Sequence, residues 1–364
     1  MQRETLKLWT QVALLGLILY AFLVSIGLMG ASFKLFGKDL AQQLIEMTSN
    51  PLVGLFTGVL ATTLVQSSST TTSIAVGMVA GGALTIEGAI PVIMGANIGT
   101  SVTNTLVSMG HITRKEEFKR ALAGATVHDF FNLVAVAILL PLEILFGYLR
   151  GLAEGAADLF AGVGGMKFTS PLKMITKPAV EMLANLLGEN PVLCLIVALV
   201  VMYLALKFLT DLARGIVVKR SERFLHRYLF GTPLVAMLFG AMLTVLVQSS
   251  SITTSMVVPL IGAGILSLEQ IFPFTLGANI GTTVTAMLAS LATGNLAAVT
   301  VALAHLFFNL TGIALVYPVP AIRNMPIKMA RVLAELTSRS RIYAFVYVGL
   351  VFYLIPLSLI AIWR

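Results

Sequence analysis

A duplicated apolar segment constrains the fold of this chain more than any other feature. Residues 51–108 align without a gap with residues 233–290, and 29 of the 58 positions are identical. Gln-Ser-Ser-Ser interrupts the apolar stretch of each copy, at Gln66–Ser69 and at Gln248–Ser251. Polar groups this deep in an apolar segment are costly to bury and usually functional. The repeat therefore predicts one site made from two equivalent halves.

The composition excludes an ordinary soluble protein. The chain is 57% hydrophobic and only 11% charged, whereas about a quarter of the residues of a soluble domain are charged. We therefore expect an all-α, polytopic membrane protein embedded in a lipid bilayer. The net charge of +8 is compatible with a nucleic-acid partner, but the basic residues lie mainly between apolar runs, where they act as orientation signals. No nucleic-acid partner is expected.

Seven apolar runs approach the roughly 20 residues that cross a bilayer. The first of them is longer than the apolar core of a signal peptide and lacks a clear cleavage site, so we interpret it as a retained span. The predicted crossings are Leu8–Gly30, Leu84–Met109, Ala121–Pro141, Pro191–Thr210, Leu268–Leu291, Leu296–Pro318 and Ile342–Ile362. The two Gln-Ser-Ser-Ser segments are interpreted as re-entrant helical hairpins.

A cytoplasmic N-terminus explains the distribution of basic residues. With it, 110–120, 211–231 and 321–341 all face the cytoplasm, and they carry four, five and five lysines and arginines, as the positive-inside rule requires. The first hairpin then enters from outside and the second from inside, so the repeats have inverted topology. We expect a multi-pass protein of the cell membrane.

The chain divides into six predicted parts. Residues 1–49 hold the first span and a loop, and 143–190 form an external loop whose mixed charge fits a pair of short surface helices. Repeat 1 covers 50–142 and repeat 2 covers 232–320. A span and a basic cytoplasmic linker fill 191–231, and 321–364 hold a basic cytoplasmic segment and the last span.

The residue types of the repeats indicate binding of small ions. Eight consecutive residues from Gln66 are polar and so cannot all serve one packing face. Neither 51–109 nor 233–298 contains Lys or Arg, so an anion would be held by hydroxyls and by helix N-termini. The same oxygens suit a hard cation such as sodium. In the motif Gly-Ala-Asn-Ile-Gly-Thr, at 95–100 and 277–282, the glycines predict local unwinding that frees carbonyls for an ion.

A second motif repeats farther along each copy. His128 and Asn132, like His305 and Asn309, lie four residues apart on one helical face, where each pair either bonds locally or reaches the central site. Asp129 has no counterpart, since Leu306 occupies that position. An ion pair with the neighbouring histidine and a proton relay are both compatible with it. Glu87 and Glu269 recur at the start of a span, which favours a role at a helix N-terminus.

These motifs resemble one known family. The sequences QSSST, GANIGT and VHDFFN, with the later LLPLE and NIGTTVTAMLASLA, are similar to those of the type II sodium-dependent phosphate cotransporters, from about Asn50 to about Pro320. The resemblance implies sodium-driven import of inorganic phosphate by a transporter rather than an enzyme, with sodium as coupling ion and no cofactor. The long tail and the cysteine-bridged loop of the animal members are not found here, which favours a bacterial member.

The resemblance also implies which residues bind. Phosphate is assigned to Ser67, Ser68, Ser69, Thr70, Ser249, Ser250 and Ser251. Sodium is assigned to Gln66, Gln248, Asn97, Thr100, Asn279 and Thr282. The sequence predicts no oligomeric state.

Three other functions are compatible with the residues. A symporter of sulfate or a carboxylate would use the same kind of site. An intramembrane hydrolase would need one serine as nucleophile and His128 or His305 as base, although a nucleophile is rarely needed twice. A passive channel would transport without saturation or ion coupling.

Overall fold

The computed structural model describes residues 2–162, 171–229 and 232–363, with the side chains of all of these except 2–9, 12, 38–41, 160–162, 210 and 212–229. The described residues form helices and turns without a β-strand, which confirms the predicted all-α fold. The helices are α1 (Gln2–Phe36), α2 (Lys38–Thr48), α3 (Pro51–Val65), α4 (Ser68–Gly81), α5 (Ile86–Gly99), α6 (Val102–Ser108), α7 (Lys115–Phe146), α8 (Tyr148–Gly162), α9 (Pro171–Leu186), α10 (Pro191–Leu229), α11 (Pro233–Val247), α12 (Ser250–Ser255), α13 (Val258–Gly262), α14 (Leu268–Thr293), α15 (Leu296–Val316), α16 (Pro320–Arg339), α17 (Ile342–Gly349) and α18 (Ile355–Trp363).

Six stretches of the described residues are long and apolar enough to cross a membrane. They are Ala13–Phe36, Lys115–Phe146, Pro191–Leu209, Leu268–Thr293, Leu296–Val316 and Ile342–Trp363. A seventh arises only if Gln42–Thr48 and Pro51–Val65, which meet at 98°, count as one span. Six of the seven predicted crossings are thus present as continuous apolar helices, the last of them formed by α17 and α18 with the π-helical turn Leu350–Leu354 between them.

The predicted crossing Leu84–Met109 is not continuous. Thr85 begins α5 by accepting a hydrogen bond from Gly88 N–H at 3.1 Å, as an N-cap residue does. This helix ends at Gly99, and α6 starts only at Val102. The prediction of an uninterrupted span at 84–109 was therefore wrong, although its apolar pattern was read correctly.

Glycines allow two helices to pack closely within each repeat. In repeat 1, α3 packs on α5, and a methyl group at Gly95 would overlap the carbonyl of Leu55. In repeat 2, α11 packs on α14, and a methyl at Gly277 would overlap the carbonyl of Met237. The glycines of the repeated motif thus allow helix backbones to touch, as small residues do between membrane helices.

The segments outside the repeats are also helical. Two helices, α8 and α9, occupy the predicted loop 143–190, as its composition suggested. Residues 163–170 of that loop, residues 230–231 of the basic linker and the basic side chains of 212–229 lie outside the described residues. The segment 321–341 is mostly the amphipathic helix α16, which sequence reasoning did not anticipate. Helix α16 packs on α7 of repeat 1, and α8 packs on α15 of repeat 2.

Candidate functional site

Both Gln-Ser-Ser-Ser segments break a helix in the same way. Gln66 has a left-handed backbone (φ 55°, ψ 29°), as does Gln248 (φ 57°, ψ 24°). Ser67 and Ser249 are extended, and the helix restarts at Ser68 and Ser250. A left-handed glutamine is uncommon, so its occurrence at the C-cap of both helices shows that the two breaks share one backbone geometry.

The first serine of each break caps the helix that follows. Ser67 Oγ accepts from Thr70 N–H at 3.2 Å, and Ser249 Oγ accepts from Ile252 N–H at 3.4 Å. Several of the threonines that follow bond backward to their own helix, as Thr71 does to the carbonyl of Ser67 at 3.2 Å. Part of the hydroxyl-rich run therefore satisfies local backbone groups.

The second serine of each break is different. Ser68 and Ser250 are 3% and 2% exposed, and their hydroxyls bond to none of the described residues. Both begin a helix, where the first N–H groups have no partner within the helix. Ser68 and Ser250 therefore offer donors to a ligand at equivalent positions of the two repeats.

The two breaks meet in the middle of the protein. The Ser69 hydroxyl donates to the backbone carbonyl of Gln248 at 3.3 Å, and the Ser251 hydroxyl donates to the carbonyl of Thr100 at 3.4 Å. The structure thus joins the serine segment of each repeat to the other repeat. Seven of the predicted phosphate and sodium residues contribute to this region: the half-buried Gln248 and the buried Thr100, Ser68, Ser69, Thr70, Ser250 and Ser251.

A buried network of histidine and asparagine lies beside the breaks. His128 Nε2 contacts Asn279 Oδ1, and His305 Nε2 lies 3.4 Å from Asn97 Oδ1. The amide of Asn279 donates to Asn132 Oδ1 at 3.0 Å. Each histidine therefore contacts the asparagine of the other repeat's Gly-Ala-Asn-Ile-Gly-Thr motif. Local bonding is present in both pairs as well: His128 Nε2 lies 3.4 Å from Asn132 Nδ2, and Asn309 donates to the carbonyl of His305 at 2.9 Å.

Thr100 and Thr282 are two further predicted sodium residues; the remaining one, Gln66, is exposed. Their hydroxyls donate to the carbonyls of Ala96 and Ala278 at 3.0 and 3.1 Å. A hydroxyl that donates in this way keeps lone pairs for a cation. Of the expected unwinding at the motif's glycines, only a break after Gly99 is present: α5 includes Gly95 and ends at Gly99, whereas α14 runs unbroken through Gly277 and Gly281. Helix–helix contact, rather than flexibility, accounts for these glycines.

Asp129 has a partner that sequence reasoning missed. The hydroxyl of Tyr347 donates to Asp129 Oδ2 at 3.0 Å, and both side chains are buried. Neither an ion pair with His128 nor a histidine relay is present. Tyr347 lies in the last span, 218 residues away along the chain, where no local pattern could reveal the contact.

Asn104 was also missed. Its side chain bonds to Thr254 Oγ1 at 2.8 Å and accepts from Ser255 Oγ at 2.8 Å, so it ties α6 to α12. The signal was present in the alignment of the repeats, since Asn104 corresponds to Ala286 and is a polar residue found in one copy only.

A glutamate in the first turn of α5 and another in the first turn of α14 each pair with an arginine in a helix that follows the repeat. Glu87 bonds to Arg150 of α8 at 2.7 Å, and Glu269 contacts Arg331 of α16. The position of Glu87 at a helix start matches the expectation, and its own backbone N–H, followed by Arg150, lowers the pKa of the carboxyl. Sequence reasoning named neither arginine, because the pairs span 62 and 63 residues.

Comparison with known proteins points to one family. The model of the family described as Na+/Pi-cotransporter matches residues 21–169 and 191–317. The chain is 36% identical to sodium-dependent phosphate transport protein 2B of Pongo abelii, with 97% of this chain and 66% of that protein covered. It is 36% identical to protein 2A of Ovis aries, with 95% and 66% covered, and 35% identical to protein 2B of Homo sapiens, with 97% and 66% covered.

The chain thus spans slightly less than two thirds of the length of these curated relatives. No solved structure matches it significantly.

Proposed function

Because the chain belongs to the Na+/Pi-cotransporter family, we propose that it imports inorganic phosphate together with sodium by alternating access, as a multi-pass protein of the cell membrane. The observation that carries the proposal is the meeting of the two breaks, in which Ser69 bonds to Gln248. It brings the unpartnered hydroxyls of Ser68 and Ser250 to one region. The relatives' names state sodium-dependent phosphate transport for those proteins.

Phosphate would be held by donors without a formal charge. The Ser68 and Ser250 hydroxyls and the N-terminal N–H groups of α4 are the donors, and a helix end supplies roughly half a positive charge. The second helix, α12, has only six residues and ends before Met256. Its dipole therefore contributes less to anion binding. With no Lys or Arg in 51–109 or 233–298, divalent phosphate requires a cation beside it.

Sodium would supply that charge. Asn97, Asn279, Thr100 and Thr282 present neutral oxygens, as does the side chain of Gln248. The histidines and helix carbonyls that bond to the first four fix their orientation while leaving lone pairs free. Sodium bound there lowers the cost of bringing phosphate to the serines, and this couples the two ions.

The proposal includes two halves of inverted topology, with a cytoplasmic N-terminus. Contacts between segments assigned to one side support it. Lys119 pairs with Glu335, and the Arg120 guanidinium donates to the carbonyl of Gly262 at 2.9 Å; all four residues belong to segments or hairpin ends assigned to the cytoplasm. On the opposite side, Asn295 donates to the carbonyl of Ala80 at 3.3 Å.

At the two breaks, the hydrolase alternative lacks a serine paired with a histidine. The serine beside His128 is Ser101, with Oγ 3.2 Å from Nδ1, and both are fully buried. Among the described residues, neither His128 nor His305 bonds to a serine of the two breaks. Among the described residues, no serine of the two breaks therefore has a histidine base in reach.

Uptake into liposomes tests the proposal. The purified protein is reconstituted, and labelled phosphate uptake is measured under an inward sodium gradient, under an equal potassium gradient, and with excess unlabelled sulfate. Saturable uptake that requires sodium and resists sulfate is expected. Competition by sulfate would redirect the proposal to another oxyanion, and uptake that neither saturates nor needs sodium would indicate a channel.

A further inference from the structure

The two Gly-Ala-Asn-Ile-Gly-Thr motifs have the same sequence but different conformations. We call residues 95–105 the first motif segment and 277–287 the second motif segment. The first is interrupted by one tighter turn: α5 ends at Gly99, α6 begins at Val102, and Ser101 N–H reaches back only three residues, to the carbonyl of Ile98 at 3.4 Å, although Thr100 and Ser101 keep right-handed helical backbone angles. The second lies within the continuous helix α14. The segments differ at three of their eleven positions, where Ser101, Asn104 and Thr105 of the first correspond to Thr283, Ala286 and Met287 of the second.

Ser101 and Thr283, which occupy equivalent positions, have different hydrogen-bond partners. In the interrupted segment, Ser101 Oγ lies 3.2 Å from Nδ1 of His128. In the continuous segment, the Thr283 hydroxyl turns to its own helix and donates to the carbonyl of Ile280 at 2.7 Å. Nδ1 of His305 is consequently buried without a partner among the described residues.

At the position two residues farther along, the threonine of the continuous segment has a side-chain partner and the threonine of the interrupted segment has none. In the continuous segment, Thr285 donates to Oε1 of Gln248 at 2.7 Å and so holds the left-handed glutamine of the second break. In the interrupted segment, the equivalent Thr103 hydroxyl is buried and has no partner among the described residues. The glutamine that would serve it, Gln66, is exposed, and its side chain bonds to no described residue.

Thr103 Oγ1 and His305 Nδ1 thus lack a partner among the described residues, whereas the equivalent atoms of the other repeat, in Thr285 and His128, have one. A buried polar atom without a partner is destabilising, and such atoms are few in native proteins. Thr103 would be satisfied if the first segment became continuous and Gln66 moved to it. His305 would be satisfied if the second segment became interrupted and Thr283 turned to it.

We propose that the two motif segments are two states of one switch, and that they exchange these states during the transport cycle. Thr103 and Thr285 are its positioning residues: whichever segment is continuous holds the glutamine of its own break through its threonine, and the interrupted segment releases its glutamine. The statement about the cycle rests on the proposed function. The existence of two exchanging states does not, and can be measured without transport.

Hydrogen–deuterium exchange of the purified full chain, read by mass spectrometry over 97–108 and 279–290, tests the switch. In the wild type, amides around Thr100–Thr103 should exchange at least tenfold faster than those around Thr282–Thr285, because an interrupted helix leaves N–H groups free. Equal rates in the two segments would overturn the proposal, even if no variant folded.

Two valine variants then separate the states. Thr285→Val removes a bond of the present state, so it should shift the equilibrium toward the other state about three- to tenfold, slowing exchange in 97–108 and accelerating it in 279–290. Thr103→Val removes a bond of the other state and should do the reverse. Thr103→Ser and Thr285→Ser, which keep the hydroxyl, should behave like the wild type.

Thr300→Val is the matched control, because this buried threonine bonds only to the carbonyl of Leu296 in its own helix. Changes of the same sign in both segments, or valine variants indistinguishable from Thr300→Val, would overturn the switch. Uptake measured on the same samples separates the two proposals: absent uptake by the wild type contradicts the proposed function, whereas opposite exchange shifts still establish the switch.

Discussion

His128 of repeat 1 contacts Asn279 of repeat 2, with Nε2 against Oδ1. The reciprocal contact joins His305 to Asn97 at 3.4 Å. Each proposed sodium-binding asparagine is thus oriented by the opposite repeat. A movement of one repeat relative to the other must change both asparagines together, which is what coupling of ion binding to transport requires.

Replacing these histidines should alter sodium dependence. In His128→Phe a ring of similar size no longer donates to Asn279, so the sodium concentration for half-maximal uptake should rise several-fold, from the loss of one hydrogen bond. The phosphate KM at saturating sodium should change less. His305→Phe should have a smaller effect, because its contact is long. His111→Phe is the control, since His111 pairs with Glu117 outside this network. Unchanged sodium dependence in His128→Phe would contradict the role.

Removing the free hydroxyls should weaken phosphate binding. Ser68→Ala or Ser250→Ala deletes a donor to a charged ligand, which is worth about 1.5–3 kcal/mol, so the phosphate KM should rise about tenfold or more. Folding should be preserved, because neither hydroxyl bonds to the described residues. Ser338→Ala, whose hydroxyl bonds only to the carbonyl of Glu335 in its own helix, serves as control. Wild-type KM in both alanine variants would remove these serines from the site.

The contact of Asn104 should matter for stability. Asn104→Ala leaves the Ser255 hydroxyl of α12 without its partner, whereas Thr254 keeps its bond to the carbonyl of Ser250. A buried group left without a partner costs about 1–3 kcal/mol. Thermal unfolding in detergent should show a melting temperature lower by several degrees. Asn185→Ala, at an exposed position of α9, should leave it unchanged. An equal response of the two variants would show that the link between α6 and α12 contributes nothing.

The repeat made much of the site predictable. Two copies of Gln-Ser-Ser-Ser in apolar surroundings are costly unless they serve one purpose, so a break at Gln66 and another at Gln248 could be expected, and both occur. The buried serines of each copy follow from the same argument. Six of the seven spans were recognisable because an apolar run of about 20 residues has few alternatives.

The features of the site that could not be predicted depend on contacts between residues far apart in the sequence, or on the conformation of the whole protein. The contact between Tyr347 and Asp129 joins residues 218 positions apart, and no periodicity encodes such a pair. The different environments of Gln66 and Gln248 were unpredictable for another reason: their sequences are identical, so only the conformation of the whole protein distinguishes them. The glycines of the motif were recognised, but they fit close packing and flexibility equally well until neighbouring backbones are known.

A glycine substitution distinguishes close packing from flexibility as the reason for the glycines of the motif. Gly95→Ala places a methyl group against the carbonyl of Leu55, which must separate α3 from α5 and should cost about 1–3 kcal/mol or more. Gly277→Ala should do the same between α11 and α14. Gly151→Ala in α8 meets no atom within 4 Å and should be neutral or stabilising by up to about 1 kcal/mol. If flexibility were the reason for these glycines, Gly95→Ala would instead retain the melting temperature of the wild type and lower only the rate of uptake.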